Sequence, residues 1–249
     1  MTLHRTRIKI CGLTREQDVD AAVAAGADAV GFVLYAKSPR FVTPQRAAEL
    51  ARRLPPFVTP VLLFVNESPA VVLAACERVA GAAVQFHGDE TPAQCMEATA
   101  GGKHPFMRAA RIALDQRTPF DLVEFAASYP QAQAILLDAH VEGYGGGGKA
   151  FDWSRITVPS VPAGPAQTGV ALPHVVLSGG LTPANVTDGI VQVRPRCRTL
   201  AVDVSSGVEA DGPGNQGIKD PEKIHRFVAA VRAGDRLLAQ NQNAFLSAT

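Results

Sequence analysis

The feature that most constrains this chain is its rhythm, because short runs rich in Val, Ile and Leu alternate with helix-length segments along its 249 residues. Such runs are strand signals, and the segments between them are long enough for a crossover helix, so the chain reads as repeated βα units. Strands are expected at 7–11, 29–34, 60–65, 83–87, 106–111, 134–138, 174–178 and 199–204. Helix starts are marked by a capping residue followed by proline, whose locked φ suits the first helical position. These pairs are Thr43-Pro44, Ser68-Pro69, Thr91-Pro92, Thr118-Pro119, Thr182-Pro183 and Asp220-Pro221. The first helix instead carries Thr14 with Gln17 three residues on, the capping-box spacing. Eight units in a chain of this length is the count of a (β/α)8 TIM barrel, although a doubly wound open sheet uses the same pattern.

With 47% apolar side chains the chain can bury a sizeable core, and it is taken as a single barrel domain over 1–249. Lys and Arg number 24 against 23 acids, so there is no electrostatic case for nucleic acid or an anionic membrane as partner. Any anionic ligand must be bound locally. Cys11, Cys76, Cys95 and Cys197 form no C-x-x-C pair, which argues against a disulfide scaffold and a structural zinc site. The opening "MTLHRTRIKICGL" lacks an apolar signal region and no window reaches membrane-span length, so a cytoplasmic protein is expected.

In a barrel, residues two apart on a strand share a face, and catalytic groups collect at the C-terminal strand ends. Lys9 and Cys11 share one face of the first strand, with Ile8 and Ile10 on the other, so the polar pair is expected to point inward. Gln85 and His87 repeat that arrangement around Phe86. The sixth strand ends with Asp138, and Asp203 precedes a glycine turn after the eighth. Taken singly, each has a plain structural reading: a buried thiol, an N-cap, a satisfied core histidine. Their convergence on one end is the functional signal. Cys11 differs further in preceding Gly12 and a helix N-terminus, a setting that can favour thiolate, whereas Cys76 and Cys95 fall inside helical patterns.

"LSGGLTPANV" follows the seventh strand and "DVSSGVE" the eighth, and backbone N–H groups at glycine turns can surround a phosphate. Barrels often hold phosphate there. A third stretch, "YGGGGKAFDW", reads as a flexible lid or a loose connection, with glycines at 145–148.

Together "KICGLT", "SPR", "QFHGDE", "LLDA", "GGGGKAFDW", "LSGGLTPANV" and "VDVSSGVE" give the chain a specific resemblance to the phosphoribosylanthranilate isomerase family of tryptophan biosynthesis. The motifs run in family order from residue 7 to about 232, and they make the barrel the expected fold. The resemblance implies an Amadori rearrangement of N-(5-phosphoribosyl)anthranilate to 1-(o-carboxyphenylamino)-1-deoxyribulose 5-phosphate, with no cofactor and no metal. It implies Cys11 as the base and Asp138 as the acid, which requires Asp138 to hold a proton near neutral pH and Cys11 to lose one. Arg40 is then the expected bidentate partner of the anthranilate carboxylate. Gly179, Gly180, Ser205, Ser206 and Gly207 are expected around the phosphate. Asp203 is assigned to substrate positioning, with an ion pair to Lys9 as the competing reading, and His87 lines the site.

A histidine-pathway aminoaldose isomerase would perform the same rearrangement, but its pattern uses aspartates for both proton transfers, so Cys11 argues against it. A metal-dependent epimerase needs a ligand cluster that His87 alone does not supply. A non-catalytic phosphate-sugar binding barrel would lack the acid or the base. The expected partner is a small phosphorylated substrate, and the chain is expected as a monomer or homodimer. Residues 158–173, rich in Pro, Gly and Ala, read as an irregular insertion where a sixth helix would stand, and a C-terminal tail from about residue 235 runs beyond the last expected barrel helix.

Overall fold

The computed structural model describes residues 5–113, 119–140, 152–157 and 172–247. Eight parallel strands close into a barrel: β1 (Arg7–Cys11), β2 (Ala29–Val33), β3 (Thr59–Phe64), β4 (Ala83–Phe86), β5 (Phe106–Ala113), β6 (Ala134–His140), β7 (His174–Leu177) and β8 (Thr199–Val204). They neighbour one another in chain order, and β8 returns to β1 with Lys9 opposite Asp203. Closure leaves the barrel itself without an unpaired edge. The helices are α1 (Glu16–Ala25), α2 (Pro44–Ala51), α3 (Pro69–Arg78), α4 (Pro92–Ala98), α5 (Leu122–Ser128), α6 (Val186–Val193) and α7 (Pro221–Ser247).

The period of two sorts the strand residues. Ile8 and Ile10 join the core between barrel and helices, whereas Cys11 packs inside the barrel with Val33, Leu63 and Val65. Below them Ala109, Leu136 and Val176 fill the interior. Phe32, Phe64 and Phe86 face the helices and are fully buried, each contributing about 1.5–3 kcal/mol by leaving water. At the opposite end from the catalytic face, Asp235 of α7 accepts hydrogen bonds from the Thr6 hydroxyl at 2.6 Å and the Thr6 N–H at 3.2 Å. The tail thus begins as an integral part of α7, which runs on to Ser247.

Most proline-marked starts are helix starts. Thr43, Ser68, Thr91 and Asp220 directly precede α2, α3, α4 and α7, and Thr91 with Gln94 forms a complete capping box. Three differ. Thr14 and Gln17 do not form the expected box: Arg15 occupies the cap position, and the Thr14 hydroxyl reaches across to the Gly217 carbonyl. Thr182-Pro183 opens a turn, and α6 starts only at Val186, because Asn185 accepts from Thr182 N–H and donates to the Gly180 carbonyl, holding the intervening residues out of the helix. Thr118 lies outside the described residues, and α5 begins after Asp121, whose carboxylate caps Val123 and Glu124. Between β6 and β7 the described residues hold one 3-10 turn, Trp153–Arg155, and a strand pair, Ile156–Thr157 with Phe120–Asp121. The glycine run at 145–148 and residues 158–171 lie outside the described part. Among the described residues, no helix is long and apolar enough to cross a membrane.

Candidate active site

Cys11 ends β1 facing the barrel axis, opposite Gly31 on β2. A Cβ at Gly31 would lie 2.6 Å from the Cys11 sulfur and 3.1 Å from Lys9 Nζ, so the missing side chain is what makes room for both. Lys9 Nζ donates to Asp203 Oδ1 at 2.8 Å, and the Ser178 hydroxyl reaches the other carboxylate oxygen at 3.4 Å. Of the two readings of Asp203, the ion pair with Lys9 is the one these contacts form.

Burial pushes the Cys11 thiol up, with the Lys9 and Lys219 charges pulling it down and Asp203 adding to the rise; the net direction is up. Lys9 shows the reverse balance. Burial alone would lower it, but Asp203 and Cys11 together hold it above the ordinary lysine value. The sequence points to a helix N-terminus as the aid to the thiolate, yet α1 begins only at Glu16, and the groups that oppose the burial cost are cations. Cys76, Cys95 and Cys197 are raised by burial to about 11, 12 and 11.

Asp138 stands on the inner face of β6, its Oδ2 2.9 Å from His87 Nε2. His87 Nδ1 in turn meets Gln85 Nε2 at 2.9 Å. All three side chains are buried. Arg111, beside Asp138 in register on β5, is ion-paired with Asp89.

Arg40, in the loop after β2, does not present its two-pronged edge to the site as expected. Its Nε and Nη2 bond the two carboxylate oxygens of Glu209 at 2.6 and 3.0 Å. Lys219 Nζ binds the same carboxylate at 3.0 Å and the Ser205 carbonyl at 3.0 Å. Burial opposes the Glu209 charge, but the Arg40 and Lys219 contacts outweigh it and hold Glu209 below the ordinary carboxylate range. Burial drives Lys219 down, against Glu209. Glu209 and Lys219 were not singled out from sequence. Glu209 falls in "VDVSSGVE", but nothing in local spacing pairs it with an arginine 169 positions away.

The two glycine loops touch. Gly179 and Gly180 both have positive φ, +76° and +66°, and a Cβ at Gly207 would fall 1.9 Å from the Leu181 carbonyl oxygen. Leu181 and Gly207 therefore bring the loop after β7 against the 3-10 turn Ser206–Val208 after β8. The N–H groups of Gly179, Gly180, Ser206 and Gly207 donate to no backbone carbonyl among the described residues, which leaves four donors around the mouth between β7 and β8. The Ser205 hydroxyl is approached by Lys219 Nζ at 3.4 Å.

Comparison with known proteins agrees with this geometry. Residues 8–230 match the family model described as N-(5'phosphoribosyl)anthranilate (PRA) isomerase. An N-(5'-phosphoribosyl)anthranilate isomerase of Methylibium petroleiphilum is 58% identical over 239 residues, covering 96% of this chain and 99% of that protein. Among solved structures, phosphoribosyl anthranilate isomerase from Thermotoga maritima is 36% identical with a TM-score of 0.71, covering 92% of this chain and 99% of its own. A phosphoribosyl anthranilate isomerase in complex with reduced 1-(o-carboxyphenylamino)-1-deoxyribulose 5-phosphate is 35% identical with a TM-score of 0.69, over the same shares. A closed parallel barrel with these motifs in order, matched across nearly its whole length, makes this chain a member of the N-(5'-phosphoribosyl)anthranilate isomerase family.

Proposed function

We infer that the chain catalyses the aldose-ketose isomerisation of N-(5'-phosphoribosyl)anthranilate in tryptophan biosynthesis, with Asp138 as general acid and Cys11 as general base. The observation that carries the residue roles is the convergence of two differently supported groups at one end of the barrel. Asp138 is held by His87, and Cys11 lies in the field of Lys9. Asp138 gives its proton to the ribose ring oxygen, the C1′–O bond breaks, and the nitrogen lone pair forms the Schiff base. The Cys11 thiolate then takes the C2′ proton, and the resulting enolamine tautomerises to the ketone. General acid and base catalysis of this kind contributes about 10²–10⁴-fold per group.

The phosphate belongs between the loops after β7 and β8, where the N–H groups of Gly179, Gly180, Ser206 and Gly207 supply donors and Ser205 lines the approach. With the bidentate edge of Arg40 engaged by Glu209, Arg40 offers the anthranilate carboxylate its remaining Nη1 corner as a single charged donor. Asp203 acts through Lys9, not on the substrate. Free, buried cysteines suit a reducing compartment, and we place the enzyme in the cytoplasm.

The test is turnover of N-(5'-phosphoribosyl)anthranilate by the purified protein beside Cys11→Ala and Asp138→Asn variants that retain substrate binding. Losses of about 10²-fold or more in both support the pair. Activity retained in either variant rejects that residue's role, and an inactive wild-type protein rejects the reading.

A further inference from the structure

Gln85 and His87 project inward from the end of β4, and with Asp138 they form a buried line of hydrogen bonds, each 2.9 Å long. At the far end of that line Gln85 Oε1 is buried and has no hydrogen-bond partner among the described residues. An orphaned buried acceptor is destabilising, and a leucine would fill the same space without that cost. The amide is therefore there for something packing does not require.

An amide nitrogen only donates, so in the orientation seen Nδ1 accepts, the neutral ring carries its proton on Nε2, and His87 donates to the Asp138 carboxylate. A donor at that oxygen favours the ionised carboxylate. The isomerisation as assigned above needs the other form. When Asp138 Oδ2 carries a proton toward Nε2, the ring must accept there, its own proton sits on Nδ1, and the next group along must be an acceptor. A half-turn of the Gln85 amide supplies one: Oε1, the orphan, replaces Nε2 against Nδ1. The two ends of an amide have nearly the same size, so the buried site holds either orientation. The two arrangements differ by one proton, the one that Asp138 delivers to the ribose ring oxygen.

We propose that Gln85 is a positioning residue for this reaction: the orientation of its amide selects which His87 ring nitrogen carries the proton, and so whether His87 donates to an ionised Asp138 or accepts from the protonated acid. The inference rests on the reading of Asp138 as the acid. It assigns Gln85 a part that lies beyond holding the strand, and a structural role alone would not move the His87 proton.

The experiment is ¹⁵N NMR of the His87 ring in the full-length protein, wild type beside Gln85→Glu and Gln85→Leu, with steady-state kinetics on the same samples. An ionised glutamate carboxylate can only accept, so Gln85→Glu places a proton on His87 Nδ1. Gln85→Leu offers neither function, and Asp138 alone is left to set the tautomer. Both variants lose about tenfold or more in kcat with KM changed by less than about twofold, as expected for a group that tunes a general acid. Retention of the wild-type tautomer in both variants overturns the proposal, as does a loss carried by KM with kcat unchanged. Gln85→Glu keeps the side-chain volume, so a leucine variant that fails to fold leaves the test standing. An active Asp138→Asn variant would instead reject Asp138 as the acid, whichever nitrogen carries the His87 proton.

Discussion

Lys9 Nζ lies 2.8 Å from Asp203 Oδ1 across the β1–β8 seam, with each side chain only 5% exposed. This ion pair closes the barrel's last strand contact and also stands against the thiol of Cys11. A buried pair is costly to assemble, but removing one member is worse because the other charge stays behind without compensation. Lys9→Met is therefore expected to lower unfolding stability by about 3–5 kcal/mol. Lys9→Met combined with Asp203→Asn should recover part of that loss, read from urea midpoints at constant m.

The same lysine sets the chemistry of Cys11. A thiol raised above its ordinary value of 9.0 yields thiolate only at higher pH, so alkylation of Cys11 by iodoacetamide should keep accelerating beyond the range of a free thiol. In Lys9→Met the profile should move further up, since the charge that pulls the thiol down is gone. Cys76, Cys95 and Cys197, raised by burial to about 11, 12 and 11, should likewise react only at alkaline pH, and unlike Cys11 their profiles should not move in Lys9→Met. Peptide mapping by mass spectrometry separates the four sites.

Glu209 joins Arg40 to Lys219, and its ionised form is favoured by that pairing. A carboxyl whose folded value is depressed contributes stability above its unfolded value, here near the ordinary 4.5, and that stability is lost as pH falls through the folded value. Glu209→Gln should cost about 3 kcal/mol at neutral pH. The gap to wild type should narrow below pH 4.5, measured by denaturation at a series of pH values. Glu209→Gln should also raise KM, because Arg40 loses the partner that fixes its guanidinium.

Gly31 is the opening that Lys9 and Cys11 share. In Gly31→Ala the new methyl would sit 2.6 Å from the sulfur, and either the thiol or the strand must shift. A displacement of this size near the reacting atoms is expected to cost on the order of 10²-fold in kcat. The circular-dichroism spectrum should remain that of a folded barrel, and a wild-type kcat would show that Cys11 has more room than its contacts indicate.

Several of these relationships could be read from the chain before any tertiary structure. The strand pattern placed all eight barrel strands within a few residues of their observed bounds, because β-branched runs between proline-marked helix starts are a local signal. Period-two alternation put Lys9, Cys11, Gln85, His87 and Asp138 on inward faces for the same reason. The first helix departed from its local signal, since Thr14 found a partner in the loop at Gly217, 203 positions away.

The sequence by itself determined the architecture and the set of inward polar groups, since both follow from the spacing of residue types along one strand or one helix start. Only the tertiary structure decided who faces whom. Arg40 is spent on Glu209, Lys219 is buried beneath the same carboxylate, Lys9 is the cation beside the thiol, and His87 stands between Gln85 and Asp138. The physical reason is that barrel closure brings together side chains far apart in the chain, as Lys9 and Asp203 are at a separation of 194. The charge of each group depends on that neighbour and on the water excluded around it, neither of which is encoded in its own stretch of chain.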